Sequence, residues 1–295
     1  MSEQASRSDV VAAPTALASP AAVMGRAGGE NFPVAARLLP RRYRTHLLAI
    51  YGFARLADTI GDESSGDRLA ELEWLDAELD RAAAGRATHP LLRRLTPTLT
   101  GLDLPLGPFR DLIDANRVDQ RRHRYATFDD LLGYCELSAA PVGRLVLAVF
   151  SATTPDRVAW SDRVCAGLQV AEHLQDVGED ARRGRVYLPA QDRRRFGVAE
   201  EDLLAPAAVP AVRRLVAFEA RRARDLLRAG HALTADLRGW ARYAVAGYVA
   251  GGEATLDALA RVDHDVLAHR CRPRKSRVMV RAIPLLAGRA PEAAA

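Results

Sequence analysis

Apolar residues recur along most of the chain three or four positions apart, and no run alternates apolar with polar residues as a strand would. Pro and Gly residues interrupt these periodic segments, for example in 101–105 and 184–189. The pattern therefore predicts an all-α protein. The expected helices are 33–39, 44–63, 67–84, 89–98, 108–119, 127–137, 141–151, 155–180, 200–203, 208–229, 233–261 and 276–283.

The two ends of the chain lack this periodicity. Residues 1–28 are rich in Ala, Ser, Pro and Gly and have no apolar core led by Lys or Arg, which predicts a disordered tail rather than a signal peptide. No change of composition and no fixed repeat divides the remainder. We therefore expect one domain over residues 29–286 and a second tail over 287–295.

Two pairs of aspartates stand out against the apolar helices: Asp58 with Asp62, and Asp176 with Asp180. Residues four positions apart lie on the same face of a helix, where like charges destabilise it by about 0.2–0.5 kcal/mol. Two such pairs in apolar surroundings therefore indicate a bound cation. Carboxylate oxygens suit Mg²⁺, which commonly binds through one or two carboxylates plus the phosphates of a substrate. The sequence thus predicts a magnesium site for a diphosphate.

Further polar residues continue both helix faces. Tyr51 and Arg55 precede the first pair at helical steps, and Gln169 and Glu172 precede the second. Two polar stripes that face each other across a helical bundle would enclose an acidic cavity. For Glu172, an ion pair with a neighbouring arginine is an alternative interpretation.

A basic segment follows the second aspartate pair. It contains Arg182, Arg183 and Arg185, and Tyr187 comes directly after it. Guanidinium groups bind phosphate oxygens in a bidentate manner, so these side chains could share the charge of a diphosphate. For each arginine taken alone, a place on an exposed loop explains the sequence equally well.

Charge and cysteine content narrow the class of protein. The net charge is +5, and nearly all of the basic side chains are arginines. Such a protein favours binding of diphosphates, anionic lipids or nucleic acid. Because the chain lacks a nucleic-acid-binding motif, we expect no nucleic-acid partner. Three cysteines without CxxC spacing indicate reduced thiols in a cytoplasmic protein. No uninterrupted apolar run reaches the roughly 20 residues that span a bilayer.

The strings around both aspartate pairs resemble motifs of the squalene/phytoene synthase family. Residues 51–63, YGFARLADTIGDE, are similar to its first aspartate-rich motif, and residues 176–189, DVGEDARRGRVYLP, are similar to its second. The resemblance extends over roughly residues 30–285. It implies the all-α fold of class I isoprenoid synthases, a helical bundle in a single domain with a central cavity.

Three more stretches, 30–35, 38–42 and 134–145, resemble the hydroxysqualene synthase branch of this family. This resemblance implies a carbon–oxygen lyase of hopanoid and squalene biosynthesis. Such an enzyme converts presqualene diphosphate to hydroxysqualene by loss of diphosphate and capture of water. It requires Mg²⁺, with several ions bridging the diphosphate, and no NADPH.

The resemblance and the stripes together suggest a role for each candidate residue. The expected metal ligands are Asp58, Asp62, Glu172, Asp176 and Asp180. The expected catalytic residues are Tyr51, Arg55, Gln169 and Tyr187. The expected substrate-binding residues are Phe32, Arg55, Tyr134, Val142, Leu145, Arg182, Arg183 and Arg185. For the apolar and aromatic members of that last set, ordinary core packing is an equally good interpretation.

Three positions depart from the family pattern. Thr59 replaces the second of two adjacent aspartates, although Asp58 and Asp62 preserve the helical ligand pair. Glu172 replaces an asparagine and adds a charge, which would either strengthen metal binding or slow diphosphate release. The region 251–253 lacks a tyrosine that the family carries there.

Two other functions stay open from the sequence. One is a head-to-head prenyl transferase that condenses two farnesyl or geranylgeranyl diphosphates to presqualene diphosphate, squalene or phytoene. The other is a non-catalytic, membrane-associated member of the family, a view supported only by Thr59. We expect a prenyl diphosphate as substrate and transient contact with the inner face of the membrane, because substrate and product are hydrophobic. The sequence leaves open the substrate's chain length, the oligomeric state and the need for a pathway partner.

Overall fold

The computed structural model describes residue 14, residues 19–25 and residues 39–287, and their regular elements are all helices. The predicted all-α fold is therefore confirmed. In chain order the α-helices are α1 (Pro20–Gly25), α2 (Arg41–Glu63), α3 (Arg68–Ala83), α4 (Pro90–Gly101), α5 (Gly107–Asp119), α6 (Phe128–Ser138), α7 (Ala140–Val149), α8 (Pro155–Gln175), α9 (Val177–Arg182), α10 (Ala190–Phe196), α11 (Pro210–Leu227), α12 (Ala229–Asp236), α13 (Gly239–Arg261) and α14 (Lys275–Ala287), with a 3₁₀ helix at Glu201–Leu204.

Part of the predicted N-terminal tail is helical, because α1 lies within it and buries Val23. The other predictions for the ends of the chain, including Phe32 as a substrate-binding residue and most of the helix at 33–39, lie outside the described residues.

Two hydrophobic clusters form the core. The first joins α2, α3, α4 and α5, where Phe53 and Phe109 meet edge to face with ring centroids 5.1 Å apart. The second gathers residues from α6 and α8 to α14. Helix α7 belongs to both, since Leu145 packs in the first cluster and Leu147 in the second. Most of the predicted site residues lie on helices from both clusters, and Asp176, Arg183, Arg185 and Tyr187 lie between helices.

A glycine allows α13 to approach α8 and α11 closely. A Cβ at Gly252 would lie 2.6 Å from a methyl of Leu168 and 3.0 Å from one of Leu227, well inside van der Waals contact. A larger residue at 252 would force these leucine side chains to shift, so glycine favours the close crossing that supports α8, the helix that leads to the second aspartate pair.

The helix predicted over 155–180 is divided at Asp176, whose φ of −106° and ψ of 10° lie outside the helical region. The hydrogen bonds between residues four positions apart nevertheless continue through the break. The Asp176 N–H donates to the Glu172 carbonyl at 3.1 Å, and the Asp180 N–H donates to the Asp176 carbonyl at 2.8 Å. The two aspartates therefore remain one turn apart, with Asp176 at the joint between α8 and α9.

The predicted helices at 208–229 and 233–261 also have different limits. Leu237 is extended, and Gly239 has a positive φ of 55°, so the chain leaves α12 and starts α13 through a turn that favours glycine. In the described part of the chain, one helical stretch, Phe128–Val149, is long and apolar enough for a bilayer by length and composition alone. Of its most apolar window, 56% is buried inside the protein, as is typical of core helices.

Candidate active site

The segment that follows α9 is held against residues 123–126 by backbone hydrogen bonds. The Val186 N–H donates to the His123 carbonyl at 2.8 Å, and the Ala190 N–H donates to the Tyr125 carbonyl at 2.9 Å. This docking fixes the backbone of Arg185 and Tyr187 and brings both side chains to the C-terminal ends of α2 and α5.

Arg185 joins the two acidic strings. Its Nη1 donates to Oδ1 of Asp62 at 2.7 Å, so a residue after the second pair contacts a carboxylate of the first. Burial alone would lower the pKa of this guanidinium, but the charge of Asp62 and its hydrogen bond raise the pKa above its ordinary value. Arg185 therefore remains a cation between the two motifs.

Asp176 and Asp180 carry a negative charge that their surroundings only partly balance. Burial, together with the charge of Asp176, raises the pKa of Asp180 to about 7. Although Asp176 is partly exposed to solvent, partial burial of its carboxyl and the charge of Glu179 likewise raise its pKa. Arg185 and Arg183 oppose the shift at Asp180 without cancelling it. Such a pair gains stability when a cation binds beside it.

The first pair is held by α5. Asn116 Nδ2 donates to Asp58 Oδ1 at 3.3 Å, and Gln120 Nε2 donates to the Gly61 carbonyl at 3.0 Å. A Cβ at Gly61 would lie 2.2 Å from Asn116 Oδ1, so a larger residue there would displace the Asn116 side chain that contacts Asp58. Arg55 is within 4.0 Å of Asp58.

Asp119, which the sequence analysis did not single out, lies at the centre of the site. It ends α5, is only 8% exposed and accepts hydrogen bonds from the hydroxyl groups of Tyr134 and Tyr187, the latter at 3.4 Å. Burial raises its pKa to about 6, against the opposing effects of the Tyr134 hydrogen bond and Arg185. A carboxylate in the last turn of a helix is disfavoured by the helix dipole, and this signal could have identified it.

An aromatic wall, formed by Tyr125, Tyr134, His173 and Tyr187, borders this carboxylate. The rings of His173 and Tyr187 stack with centroids 3.7 Å apart. Burial, assisted by Arg185, lowers the pKa of His173 to about 3, so the imidazole is neutral. Gln169 Nε2 lies 3.3 Å from Nε2 of His173, which places the predicted catalytic glutamine beside this wall.

The other predicted residues occupy different surroundings. Tyr51 is buried. Leu145, which is buried, and Val142, which is half-buried, pack with the first hydrophobic cluster. Arg182 and Glu172 are exposed. Arg183 is also exposed and pairs with Glu179 at 2.8 Å. The structure therefore brings Arg185 to the acidic site and leaves Arg182 and Arg183 at its surface.

The donor set fits Mg²⁺ held together with a diphosphate. Among the described residues, no three His, Cys, Asp or Glu side chains converge into a ready-made cage. Magnesium does not need one, because it commonly takes one or two carboxylates and completes its shell with water and phosphate oxygens. The two aspartate pairs offer such partial shells, and a positive charge beside Asp176 and Asp180 would oppose the burial and like-charge effects that raise their pKa values.

A small apolar cavity lies next to the charged groups, and its wall includes Asp180, Arg185 and Tyr187 along with Leu131, Val170, Leu174, Val177, Leu188 and Leu203. Glu219 of α11 also lines it and is only 1% exposed. Arg222 pairs with both Glu219, at 3.3 Å, and Asp192, at 2.7 Å. Burial raises the pKa of Glu219 to about 8 despite the Arg222 charge.

This buried carboxyl predicts a pH dependence of stability. Because folding raises the pKa of Glu219 from 4.5 to about 8, its protonated form favours the folded state. That contribution is complete below pH 4.5 and is lost as the pH rises through 8. We expect Glu219→Gln to remove this loss, so that the melting temperature of the variant falls less than that of the parent between pH 6 and 9. If the melting temperatures of the parent and the variant fell equally between pH 6 and 9, Glu219 would not be the source of this pH dependence.

Comparison with known proteins agrees with these features. A model of the family described as squalene/phytoene synthase matches residues 26–278. A hydroxysqualene synthase from Rhodopseudomonas palustris is 39% identical over 211 residues, covering 71% of this chain and 72% of that protein. A phytoene synthase from Arthrospira platensis is 33% identical over 256 residues, covering 82% and 83%.

The fold agrees as well. The crystal structure of squalene synthase HpnC from Alicyclobacillus acidocaldarius matches with a TM-score of 0.77 and 42% identity, over 83% of this chain and 93% of that one. The resemblance drawn from the two aspartate strings is thus confirmed by sequence and by structure. The chain belongs to the squalene/phytoene synthase family of isoprenoid synthases, with hydroxysqualene synthases among its most similar relatives.

Proposed function

We propose that the protein converts presqualene diphosphate to hydroxysqualene in a Mg²⁺-dependent reaction that releases diphosphate and adds water. The observation that carries this proposal is the position of Arg185, paired with Asp62 and beside Asp180 at one end of an apolar cavity. A prenyl diphosphate likewise joins a charged head to an apolar tail, and the small pocket beside Arg185 would contact only the part of the tail nearest the diphosphate.

Ionisation takes place at the charged end. Arg185 and Arg55 bind and orient the diphosphate, while Asp58, Asp62, Asp176 and Asp180 hold the metal, with Glu172 at the edge of the second pair. When bound, Mg²⁺ would act as a Lewis acid toward the departing oxygens. The hydroxyl of Tyr187, hydrogen-bonded to Asp119 in this structure, would donate instead to the leaving group as the carbon–oxygen bond breaks.

The carbocation that remains requires a dry, electron-rich surrounding. Aromatic faces stabilise a nearby cation by about 0.5–2 kcal/mol, and Tyr187, which lines the cavity with Tyr125 and Tyr134 packed against it, would supply such a surrounding. His173 stacks on Tyr187 and stays neutral, so it adds no repulsive charge. We propose that Gln169, beside this histidine, orients the single water whose oxygen bonds to the cation. The proton released from that water leaves with the diphosphate.

A head-to-head prenyl transferase is the second candidate, because a phytoene synthase is among the relatives that match most of the chain. Incubation of the purified protein with Mg²⁺ and presqualene diphosphate, without NADPH, separates the two. We expect hydroxysqualene and free diphosphate. Recovery of no alcohol, together with consumption of farnesyl or geranylgeranyl diphosphate in a parallel reaction, would establish the transferase instead.

A further inference from the structure

Helix α14 exposes apolar side chains on one face while its other face is packed. Met279, Val280 and Ile283 are 63%, 58% and 63% exposed, whereas Ala282 and Leu285 are buried in the second hydrophobic cluster. We call these three exposed residues the α14 face. Three large apolar side chains within five positions of one helix form a patch, and patches of this kind mark interaction surfaces.

Two exposed aromatic side chains lie at the start of α13, the helix that packs against α14. Trp240 and Tyr243 are both exposed, and their rings lie 5.8 Å apart. Between them in sequence, Arg242 donates to the Leu285 carbonyl at 3.2 Å, which ties this turn to the last turn of α14. Exposed Trp and Tyr rings pair an apolar body with a polar group, as side chains at the headgroup level of membranes do.

The segment that leads into α14 is strongly basic. No acidic residue occurs from 266 to 287, and the following five residues of this basic segment are exposed: Arg270, Arg272, Arg274, Lys275 and Arg277. By contrast, Arg281, on the packed side of α14, is neutralised by Asp257 at 2.7 Å. Positive charge is therefore concentrated beside the α14 face rather than spread around the helix.

The basic segment also borders the candidate active site. Gln175, the last residue of α8, donates to the backbone carbonyl of Cys271. The charge of Arg272 is close enough to act on Asp176 of the second pair. A surface that binds this segment would therefore lie near the charged mouth of the site.

We propose that the α14 face, the Trp240–Tyr243 pair and the basic segment dock the protein onto an anionic membrane surface. Apolar insertion combined with cationic attraction is the arrangement that binds interfacial helices to negatively charged lipids. A second copy of the chain would bring two basic segments together, which disfavours self-association. Nucleic acid would bind the arginines but leave the α14 face in water.

Cosedimentation of the full chain with lipid vesicles tests this proposal. We expect binding to phosphatidylcholine vesicles that contain phosphatidylglycerol, weak binding to phosphatidylcholine alone, and release at high salt. The triple variant R274Q/K275Q/R277Q should bind the anionic vesicles about a hundredfold less tightly, given the usual contribution of each cationic residue near such a surface. The variant M279S/V280S/I283S should lose binding about tenfold or more.

A matched control alters exposed residues of the same types on the N-terminal helices: Leu69→Ser with Arg93→Gln and Arg94→Gln. This control should bind vesicles as the parent does. All variants should retain the parent's circular dichroism and its diphosphate release in detergent solution, which keeps membrane docking separate from the proposed reaction.

Three results would overturn the proposal. The first is vesicle binding that does not depend on phosphatidylglycerol or on either set of substitutions. The second is a dimer in sedimentation equilibrium that M279S/V280S/I283S abolishes while the parent fails to bind vesicles. The third is vesicle binding that appears only after deletion of 1–18 or 288–295, which would show that the chain's own ends cover the face.

Discussion

Replacing Asp180 with asparagine is expected to lower kcat/KM for a prenyl diphosphate by a factor of about 10³ or more without lowering the melting temperature. The activity falls because the amide removes an anionic oxygen ligand beside the departing diphosphate. The stability is retained because burial and Asp176 already raise the pKa of Asp180 to about 7, so its charge is unfavourable in the folded protein. Steady-state diphosphate release and thermal unfolding measure the two effects.

Glu179→Gln is the matched control for this variant. Glu179 lies next to Asp180 but is exposed and pairs with Arg183 on the surface. It should keep activity within about threefold, as expected for a change at an exposed ion pair. If Asp180→Asn also kept activity within tenfold, the second aspartate pair would not be the metal site.

Arg185→Gln should lower both activity and stability, in contrast to the Asp180 variant. The guanidinium pairs with Asp62 at 2.7 Å and offsets the charges of Asp119 and Asp180. Its loss takes away the ion-pair partner of Asp62, reduces the positive charge near Asp119 and Asp180, and removes a diphosphate ligand. We expect kcat/KM to fall about 10²–10³-fold, as for removal of one preorganised donor, together with a lower melting temperature at pH 8.

Two further arginine variants separate charge from geometry. Arg185→Lys keeps the charge but loses the bidentate fork, so it should restore the melting temperature more than the activity. Arg183 is exposed, and within the described residues its only ion pair is with Glu179. Arg183→Gln should therefore change kcat/KM and the melting temperature little. Equal losses in Arg183→Gln and Arg185→Gln would mean that the whole basic segment acts as a diffuse positive patch.

Local patterns in the sequence predicted most of the helices and the spacing of the aspartate pairs, because helix periodicity and i, i+4 spacing are local properties of the chain. They missed the short helix α10, Ala190–Phe196. The division of the helix at Asp176 was not predictable in this way. Its spacing stays helical on both sides, and only the backbone angles of one residue depart. Likewise, the chain leaves the helical conformation at Leu237, just before Gly239, and the spacing of apolar residues gives no sign of this break.

The groups that complete the site are the part that sequence reasoning missed. Asp119, Asn116 and His173 meet the motif residues only after α5 packs on α2 and the segment after α9 docks on 123–126. Such contacts join residues far apart in the chain, so no spacing rule reveals them. Conversely, the predicted substrate-binding roles of Val142 and Leu145 stay predictions, since both side chains pack in the first hydrophobic cluster.

The structure shows the surroundings of two residues that depart from the family motif, Thr59 and Glu172. Thr59 is 7% exposed on α2, so its side chain packs inside the protein, away from water. Asp58, the neighbour that the family also carries, is half-exposed and contacts Asn116. The threonine therefore removes no carboxylate from the half-exposed pair formed by Asp58 and Asp62. Glu172 is exposed one turn before Asp176 and adds negative charge at the rim of the second pair.

The origin of the product's oxygen tests the proposed reaction most directly. Purified protein, Mg²⁺ and presqualene diphosphate are incubated in ¹⁸O-labelled water, and the hydroxysqualene is examined by mass spectrometry. If the carbon–oxygen bond breaks and water captures the cation, the alcohol carries the label and the released diphosphate does not. Unlabelled alcohol with labelled phosphate would show cleavage at phosphorus, and would contradict ionisation at this site.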